Sequence, residues 1–278
     1  KMRKIKIGDF IVSNKEPLSL IAGPCQMQSR DHALMTAEKI LKICDKLNIN
    51  LIYKSSFDKA NRSSVHSKRG IGLEKSLPIF AEIKQQFNIA TLTDIHTESQ
   101  AKIIGESDAI DVLQIPAFLC RQTDLLQAVA ATGKVVNVKK GQFLAPWDMN
   151  NIVDKFDHFA NKNLLLTDRG TSFGYNTLVS DMRSLAIMAE TGCPVVYDAT
   201  HSVQQPGGLG GASGGQRHFV KILARAAVAV GVAMVFAEVH EDPDNAPSDG
   251  PCMLNINELE DFLQQIQEVD QIAKKYNN

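Results

Sequence analysis

The sequence predicts an α/β chain folded as one (β/α)8 barrel over residues 1–278, with a short β-hairpin plug at its amino end. Short apolar, β-branched runs alternate with longer helical periods eight times. The runs are continuous rather than alternating, as strands buried on both faces must be. The competing architecture is a doubly wound sheet, but no GxGxxG turn follows any of the strands, so its usual dinucleotide fingerprint is missing. Eight strand-helix units favour the closed barrel, which needs about 250 residues.

The elements follow in order. The β-like start "KIKIGDFIVS" supplies the hairpin. The strands are "LSLIAG" from Leu18, "NLIYKSSF" from Asn50, "ATLTDIH" from Ala90 and "IDVLQIP" from Ile110. The second half adds "KVVNVKK" from Lys134, "NLLLTDRG" from Asn163, "PVVYDATH" from Pro194 and "AMVFAEVH" from Ala233. Ser29 caps a first helix whose apolar face is Leu34, Ala37, Leu41 and Cys44. The last helix presents Ile256, Leu259, Leu263, Ile266, Val269 and Ile272, entered through Asn255 and Glu258 as a capping-box-like pair. The glycine-rich segment "QQPGGLGGASGGQ", Gln204 to Gln216, follows the seventh strand. It lacks the Gly-Lys-Ser/Thr ending of a phosphate loop. It reads as a mobile active-site lid, with a merely flexible surface loop as the alternative.

Composition narrows the function classes. The chain has 278 residues, 44% hydrophobic and 22% charged, with net charge -1, so no global field recruits nucleic acid or membrane. No apolar run approaches the roughly 20 residues of a membrane span, and the basic, polar start has no signal-peptide core. The five cysteines, Cys25, Cys44, Cys120, Cys193 and Cys252, are widely spaced without a CxxC pair. That pattern implies reduced thiols in a cytoplasmic protein rather than a disulfide framework or a closed Cys-rich zinc site.

In such a barrel the chemistry sits at the carboxyl ends of the strands. Those ends carry Cys25; Lys54, followed by Lys59 and Arg62; Asp94 with His96; Gln114; Lys139 with Lys140; Asp168 with Arg169; Asp198 with His201; and Glu238 with His240. Two groups separate by chemistry. Lys54, Lys59, Arg62, Lys139 and Arg169 are cations that imply a polyanionic small ligand, since both residue types suit phosphate and carboxylate. Cys25, His201, Glu238 and Asp249 are one soft sulfur, one imidazole and two carboxylates, a donor set that suits a divalent ion such as zinc or iron. The bland alternative has Cys25 filling space, His201 capping a loop and Glu238 paired with a lysine.

The blocks "SFDKANRSS" (Ser56 to Ser64), "LQIPAFLCRQTDLL" (Leu113 to Leu126), "NVKKGQF", "DRGTSFGYNTLVSDM", "DATHSVQQPGG", "GGASGGQR" and "SDGP" resemble the 3-deoxy-D-manno-octulosonate 8-phosphate synthase family. The resemblance runs over almost the whole chain. It implies a homotetrameric (β/α)8 barrel that condenses phosphoenolpyruvate with D-arabinose 5-phosphate and water. The products are the eight-carbon sugar acid phosphate, a lipopolysaccharide precursor, and inorganic phosphate.

The resemblance also assigns residues. It places phosphoenolpyruvate at Lys59, Lys139 and Arg169, near Gln114 and Ala117. The pentose phosphate falls to Asn61, Arg62 and Ser63, partly across a subunit boundary. Lys54, Ser56 and Asp94 complete the substrate-binding set, and Lys59, Lys139, His201 and Asp249 the catalytic one. The family has metal-dependent and metal-independent members, and the independent ones carry asparagine at the position of Cys25. Cysteine there, with His201, Glu238 and Asp249, resembles the dependent class and implies one divalent ion such as zinc, iron or manganese. The sister 3-deoxy-D-arabino-heptulosonate 7-phosphate synthases, which use erythrose 4-phosphate, carry Lys-Pro-Arg-Thr where this chain has Lys-Ala-Asn-Arg. The remaining alternative is a sugar-phosphate-binding barrel without turnover.

Overall fold

A computed structural model describes residues 2–62, 64–208 and 213–276. The chain opens with an antiparallel hairpin of β1 (Ile5–Ile7) and β2 (Phe10–Val12). Gly8, at φ +55, sits in its turn, where a side chain is disfavoured. Eight parallel strands follow: β3 (Ser19–Gly23), β4 (Leu51–Lys54), β5 (Ala90–Asp94), β6 (Val112–Ile115), β7 (Val135–Lys139), β8 (Leu164–Asp168), β9 (Val195–Asp198) and β10 (Met234–His240). Neighbours in sequence are neighbours in the sheet, and β9 pairs β10 through Val196 and Met234 to close the barrel. One principal helix follows each strand: α1 (Arg30–Leu47), α2 (Leu73–Phe87), α3 (Glu98–Gly105), α4 (Thr123–Ala130), α5 (Met149–His158), α6 (Met182–Ala189), α7 (Val220–Val230) and α8 (Leu259–Tyr276).

All eight expected strands are present, because a run that is apolar at every position can be buried on both faces. Alternation along each strand divides the core in two. Outward residues such as Leu20, Tyr53, Val136, Leu166 and Val235 pack under the helices. Inward residues, among them Ile21, Ile52, Leu92, Val112, Leu165, Val196 and Phe236, fill the barrel. Ile5, Ile7 and Val12 of the hairpin join this inner cluster and plug one end of the barrel. The interior is therefore sealed at the amino end and open to ligands only at the carboxyl end.

Two helix faces differ from the sequence reading. Ser29 does cap α1, accepting from the His32 N–H at 3.2 Å. The buried stripe of α1, however, is Ala33, Thr36, Ala37, Ile40 and Cys44, while Leu34 and Leu41 are half-buried flanks. Small residues let the helix axis approach the sheet, so the larger leucines end up beside the contact. Asn255 caps a single 3-10 turn, Ile256–Glu258, that precedes α8. In α8, Ile272 is 62% exposed and Asp270 takes the buried position. The Asp270 carboxylate accepts from the Leu18 N–H at 2.9 Å and pairs with Lys274, so a polar anchor ends the apolar face.

Candidate active site

The inward parity of the strands carries past the apolar layer and sets polar groups around one mouth. Above Ile52 comes Lys54, above Leu92 comes Asp94, above Val112 comes Gln114, and above Phe236 comes Glu238. Lys139, Arg169 and Asp198 follow the same rule on their strands. Lys54, Ser56, Lys59, Asn61, Arg62, Asp94, Gln114, Ala117, Lys139, Arg169, His201, Glu238 and Asp249 line a single pocket with about 1000 Å³ of space open to solvent. Ser63 lies outside the described residues.

Three strand-end residues that the sequence reading grouped here lie elsewhere. Lys140 has outward parity and is fully buried, donating to the carbonyls of Gly141 and Leu144 and to Thr171 Oγ1. Asp168 also points outward, accepting from the Ser184 hydroxyl at 2.6 Å and the Gly170 N–H at 2.7 Å. His240 leans toward α1, its ring 5.1 Å from that of His32, and its Nδ1 accepts from the Asp242 N–H.

The cations differ in how far they are committed. Lys54 Nζ donates to Glu238 Oε1 at 2.6 Å and to the Cys25 carbonyl at 2.9 Å. Lys139 Nζ donates to Asp198 Oδ2 at 2.5 Å and stands 3.8 Å from the ring centroid of Phe236. Burial pulls Lys139 below the ordinary lysine range; Asp198 opposes this, and nearby Arg169 adds to it. Among the described residues Lys59 Nζ donates to the Ser56 hydroxyl alone, at 2.9 Å. Burial lowers Lys59 too, but Cys25, Glu238, Asp94 and Asp249 beside it outweigh this and hold the ammonium above its usual range. Arg62 donates from Nη2 to the Pro247 carbonyl at 3.1 Å, and Arg169 from Nη2 to Gln204 Oε1 at 2.5 Å. The Nε atoms of Arg62 and Arg169 are buried without a partner among the described residues.

The four candidate metal donors approach one another from separate elements: Cys25 after β3, His201 in the 3-10 turn after β9, Glu238 on β10 and Asp249 in the loop beyond it. Cys25 is buried with Sγ 3.1 Å from Asp249 Oδ2. His201 Nε2 lies 3.5 Å from Glu238 Oε2 and 3.9 Å from Asp249 Oδ2. Donor atoms of Cys25, Glu238 and Asp249 all fall within 4.8 Å of one another. A tetrahedral ion with bonds near 2.0–2.3 Å sets its ligands about 3.3–3.8 Å apart; the His201–Glu238 pair has that spacing, the Cys25–Asp249 pair is closer, and His201 stands outside the 4.8 Å group of the other three. The tautomer fits as well. His201 Nδ1 faces Asp198 at 2.9 Å, which leaves the Nε2 lone pair for the ion. Glu238 Oε2 is buried with no hydrogen-bond partner among the described residues, as a waiting ligand atom would be.

Electrostatics bears on the same point. Burial raises the Glu238 carboxyl, but His201, Lys54 and Lys59 overcome this and hold it well below its usual range. Asp249 is held low by His201 and Lys59 against burial and the charge of Glu238. Cys25 is pushed well above the ordinary thiol range by burial and by Glu238. Two carboxylates stand ready while the sulfur needs a cation to shed its proton.

Sequence reasoning gives four contributors no role, although it names two of them, His96 and Asp198, at the strand ends. His96, paired with Asp94 through Nε2 at 3.1 Å, lines the pocket, and strand parity two residues beyond Asp94 points to it. Gln142 lines the pocket with a buried, unpartnered Oε1. Asp198 holds both Lys139 and His201. Gln204 links Arg169 to Asp249, donating to Asp249 Oδ1 at 2.7 Å. Nothing in the local sequence marks Gln142 or Gln204. The ends of the glycine-rich segment pair as a small hairpin, Gln204 opposite Gly215 and Gln205 opposite Gly214. Pro206, Gly207 and Ser213 face the pocket. Residues 209–212, the middle of the expected lid, lie outside the described residues.

Known proteins place this geometry. The model of the DAHP synthetase I family matches residues 3–275. A 2-dehydro-3-deoxyphosphooctonate aldolase of Rickettsia bellii (strain OSU 85-389) is 60% identical over 271 residues, 98% of each chain. Proteins of the same name from Bartonella tribocorum and Brucella anthropi are 59% identical over 274 residues and 62% identical over 270 residues, covering at least 97% of each chain. Matched over nearly its whole length by both comparisons, the chain belongs to the DAHP synthetase I family, among its 2-dehydro-3-deoxyphosphooctonate aldolases.

Proposed function

We propose that the protein condenses phosphoenolpyruvate with D-arabinose 5-phosphate and water, giving 3-deoxy-D-manno-octulosonate 8-phosphate and inorganic phosphate. The observation that carries this reading is that Arg62 and Arg169 line one cavity with Lys59, and that the Nε of each arginine is buried without a partner among the described residues. Buried cationic donors left unpaired call for an anion. The two arginines belong to different loops, which suits two phosphorylated reactants. The name of the relatives supports the product, since 2-dehydro-3-deoxyphosphooctonate is the same eight-carbon acid phosphate. The family model carries the name of the sister synthases, but "KANRSS" in place of Lys-Pro-Arg-Thr favours the five-carbon aldose.

Lys59, Lys139 and Arg169, with Gln114 and Ala117 beside them, hold the carboxylate and phosphate of phosphoenolpyruvate. Asn61, Arg62 and Ser63 hold the pentose phosphate, and Ser56 and Asp94 shape the floor between them. The enol carbon attacks the aldehyde carbon, and water adds at the carbon bearing phosphate. The tetrahedral adduct then collapses by carbon-oxygen cleavage to release phosphate. The lysine and arginine charges stabilise the adduct. Cys25, His201, Glu238 and Asp249 hold a divalent ion, which supplies a Lewis acid at the pocket floor when bound. Asp249, whose carboxylate keeps lone pairs beyond the one an ion takes, is the group placed to take the proton from water.

The protein is proposed to be cytoplasmic, and no described helix is long and apolar enough to cross a membrane. It is proposed to assemble as a homotetramer. Phe118, Phe143, Trp147, Phe173 and Tyr175 are exposed on the loops at the carboxyl end of the barrel, and exposed aromatic groups of this size favour burial against another copy. Light scattering measures the assembly.

The activity test offers phosphoenolpyruvate with arabinose 5-phosphate or erythrose 4-phosphate and measures released phosphate. Turnover with the pentose is expected. Preference for the four-carbon sugar overturns the substrate assignment. Phosphoenolpyruvate binding without phosphate release overturns the enzyme assignment.

A further inference from the structure

Three of the four candidate metal donors are each tied to a different cation of the pocket. Glu238 accepts directly from Lys54 at 2.6 Å. His201 is joined to Lys139 through Asp198, whose Oδ2 faces both at 2.9 and 2.5 Å. Asp249 is joined to Arg169 through the amide of Gln204, whose Nε2 donates to Asp249 Oδ1 at 2.7 Å while its Oε1 accepts from Arg169 Nη2 at 2.5 Å. The first two links depend on charged carboxylates. The third runs through a neutral, planar, buried group.

We propose that Gln204 is a positioning residue that couples occupancy of the divalent-cation site to anion binding by Arg169. The inference rests on the function proposed above. An ion that fixes the Asp249 carboxylate fixes Gln204 Nε2. Because the amide is planar, its Oε1 is then fixed too, and so is the Arg169 fork. That directs the remaining donors of Arg169, including its buried and unpartnered Nε, toward the phosphoenolpyruvate side of the cavity.

Only an amide of this length serves. Glutamate accepts from Arg169 but repels Asp249, asparagine is one methylene short, and methionine has the length without donor or acceptor. The backbone of Gln204 reinforces the coupling. It directly follows the 3-10 turn His201–Val203 that carries a candidate ligand, and its strand pairs with Gly214–Gly215 at the base of the glycine-rich segment. Coupling free energies are reciprocal, so phosphoenolpyruvate tightens the ion by the same factor as the ion tightens phosphoenolpyruvate.

The test measures zinc affinity by competition with a chromogenic chelator, with and without phosphoenolpyruvate, on the full chain. Wild type is expected to bind zinc about tenfold more tightly with phosphoenolpyruvate present. In Gln204→Met that ratio is expected to fall below about twofold. The KM for phosphoenolpyruvate rises while that for arabinose 5-phosphate holds, a split that general loosening of the site does not produce. Gln204→Asn is the second variant should the methionine chain fail to fold, and the same loss is expected of it. A wild-type ratio of one, or a full ratio retained in a folded Gln204 variant, overturns the inference and leaves the proposed function standing. Wild type that binds no zinc overturns the proposed metal centre, and this inference with it.

Discussion

Lys54 and Glu238, 184 residues apart in sequence, meet with Nζ 2.6 Å from Oε1, and neither side chain is more than 2% exposed. The strand between theirs, β3, ends in Gly23 and brings no side chain to separate them. Removing one member of a buried pair strands the other charge, at a cost of about 3–5 kcal/mol, whereas removing both with apolar replacements costs much less. Glu238→Leu and Lys54→Met are each expected to lose about 3 kcal/mol in chelated protein. The double variant Lys54→Met with Glu238→Leu is expected to recover most of that. Urea unfolding of the four proteins gives the cycle, and additive losses contradict the direct pairing.

Gly23 itself supplies a second expectation. A Cβ built there stands 1.8 Å from the Lys54 carbonyl oxygen and 2.8 Å from its carbonyl carbon, both of them backbone atoms that cannot swing away. Gly23→Ala therefore forces β3 and β4 apart at the rim, where Cys25 and Lys54 meet. A loss of about 3 kcal/mol is expected, at the upper end for an added methyl. Zinc binding is expected to weaken in the same variant, because Cys25 moves with the strand end. Unchanged urea midpoint and zinc affinity contradict this close approach.

The strands were legible because burial on both faces demands unbroken apolar runs, and the rim residues because strand ends carry the chemistry in this architecture. Parity was the rule left unused. It separates Lys139 from Lys140 and Arg169 from Asp168, inward from outward, and both distinctions can be read from the strand register alone. Gln204 was not legible. Its role is made by partners 35 and 45 residues away, and an amide after a valine gives no local sign of either. The helix faces drifted for a related reason: close packing of Ala33 and Ala37 decides which side of α1 touches the sheet, and hydrophobicity alone favours the leucines.

The pH dependence of metal binding follows from the donor set. Glu238 and Asp249 are held below their usual range and are ionised near neutrality, so they release no proton when the ion enters. Cys25 is held well above the ordinary thiol range and must lose its proton to ligate. Binding is thus expected to release one thiol proton, and affinity to fall about tenfold per unit as pH drops from 8.5 to 7.5. Calorimetry in buffers of different ionisation enthalpy counts the protons. Cys25→Ala is expected to abolish this release, and a pH-independent wild-type affinity contradicts thiolate ligation.

Arg62 separates the two substrates. It extends from the loop after β4, anchored to the Pro247 carbonyl at 3.1 Å, while Lys139 ends β7 and Arg169 directly follows β8. Losing a charged hydrogen bond to phosphate costs about 1.5–3 kcal/mol. Arg62→Ala is expected to raise the KM for arabinose 5-phosphate by at least about tenfold and to change that for phosphoenolpyruvate far less. Steady-state kinetics with each substrate varied decides it, and equal rises reverse the side assignment.

Chelation tests the role of Cys25. The thiol is 2% exposed, and its described hydrogen-bond partner is the Asp249 carboxylate at 3.1 Å, with Glu238 close by. Burial beside two carboxylates keeps the proton on the sulfur, so only a cation at this point turns it into a thiolate ligand. Treatment with a chelator is expected to abolish phosphate release, and zinc, iron or manganese to restore it. Cys25→Ala is expected to match the chelated enzyme and to resist rescue at the same ion concentration, because one of four ligands is gone while the three others stay tied to Lys54, Asp198 and Gln204. Activity that survives either treatment means the sulfur only fills space, and the polar cluster around it then serves the fold rather than the reaction.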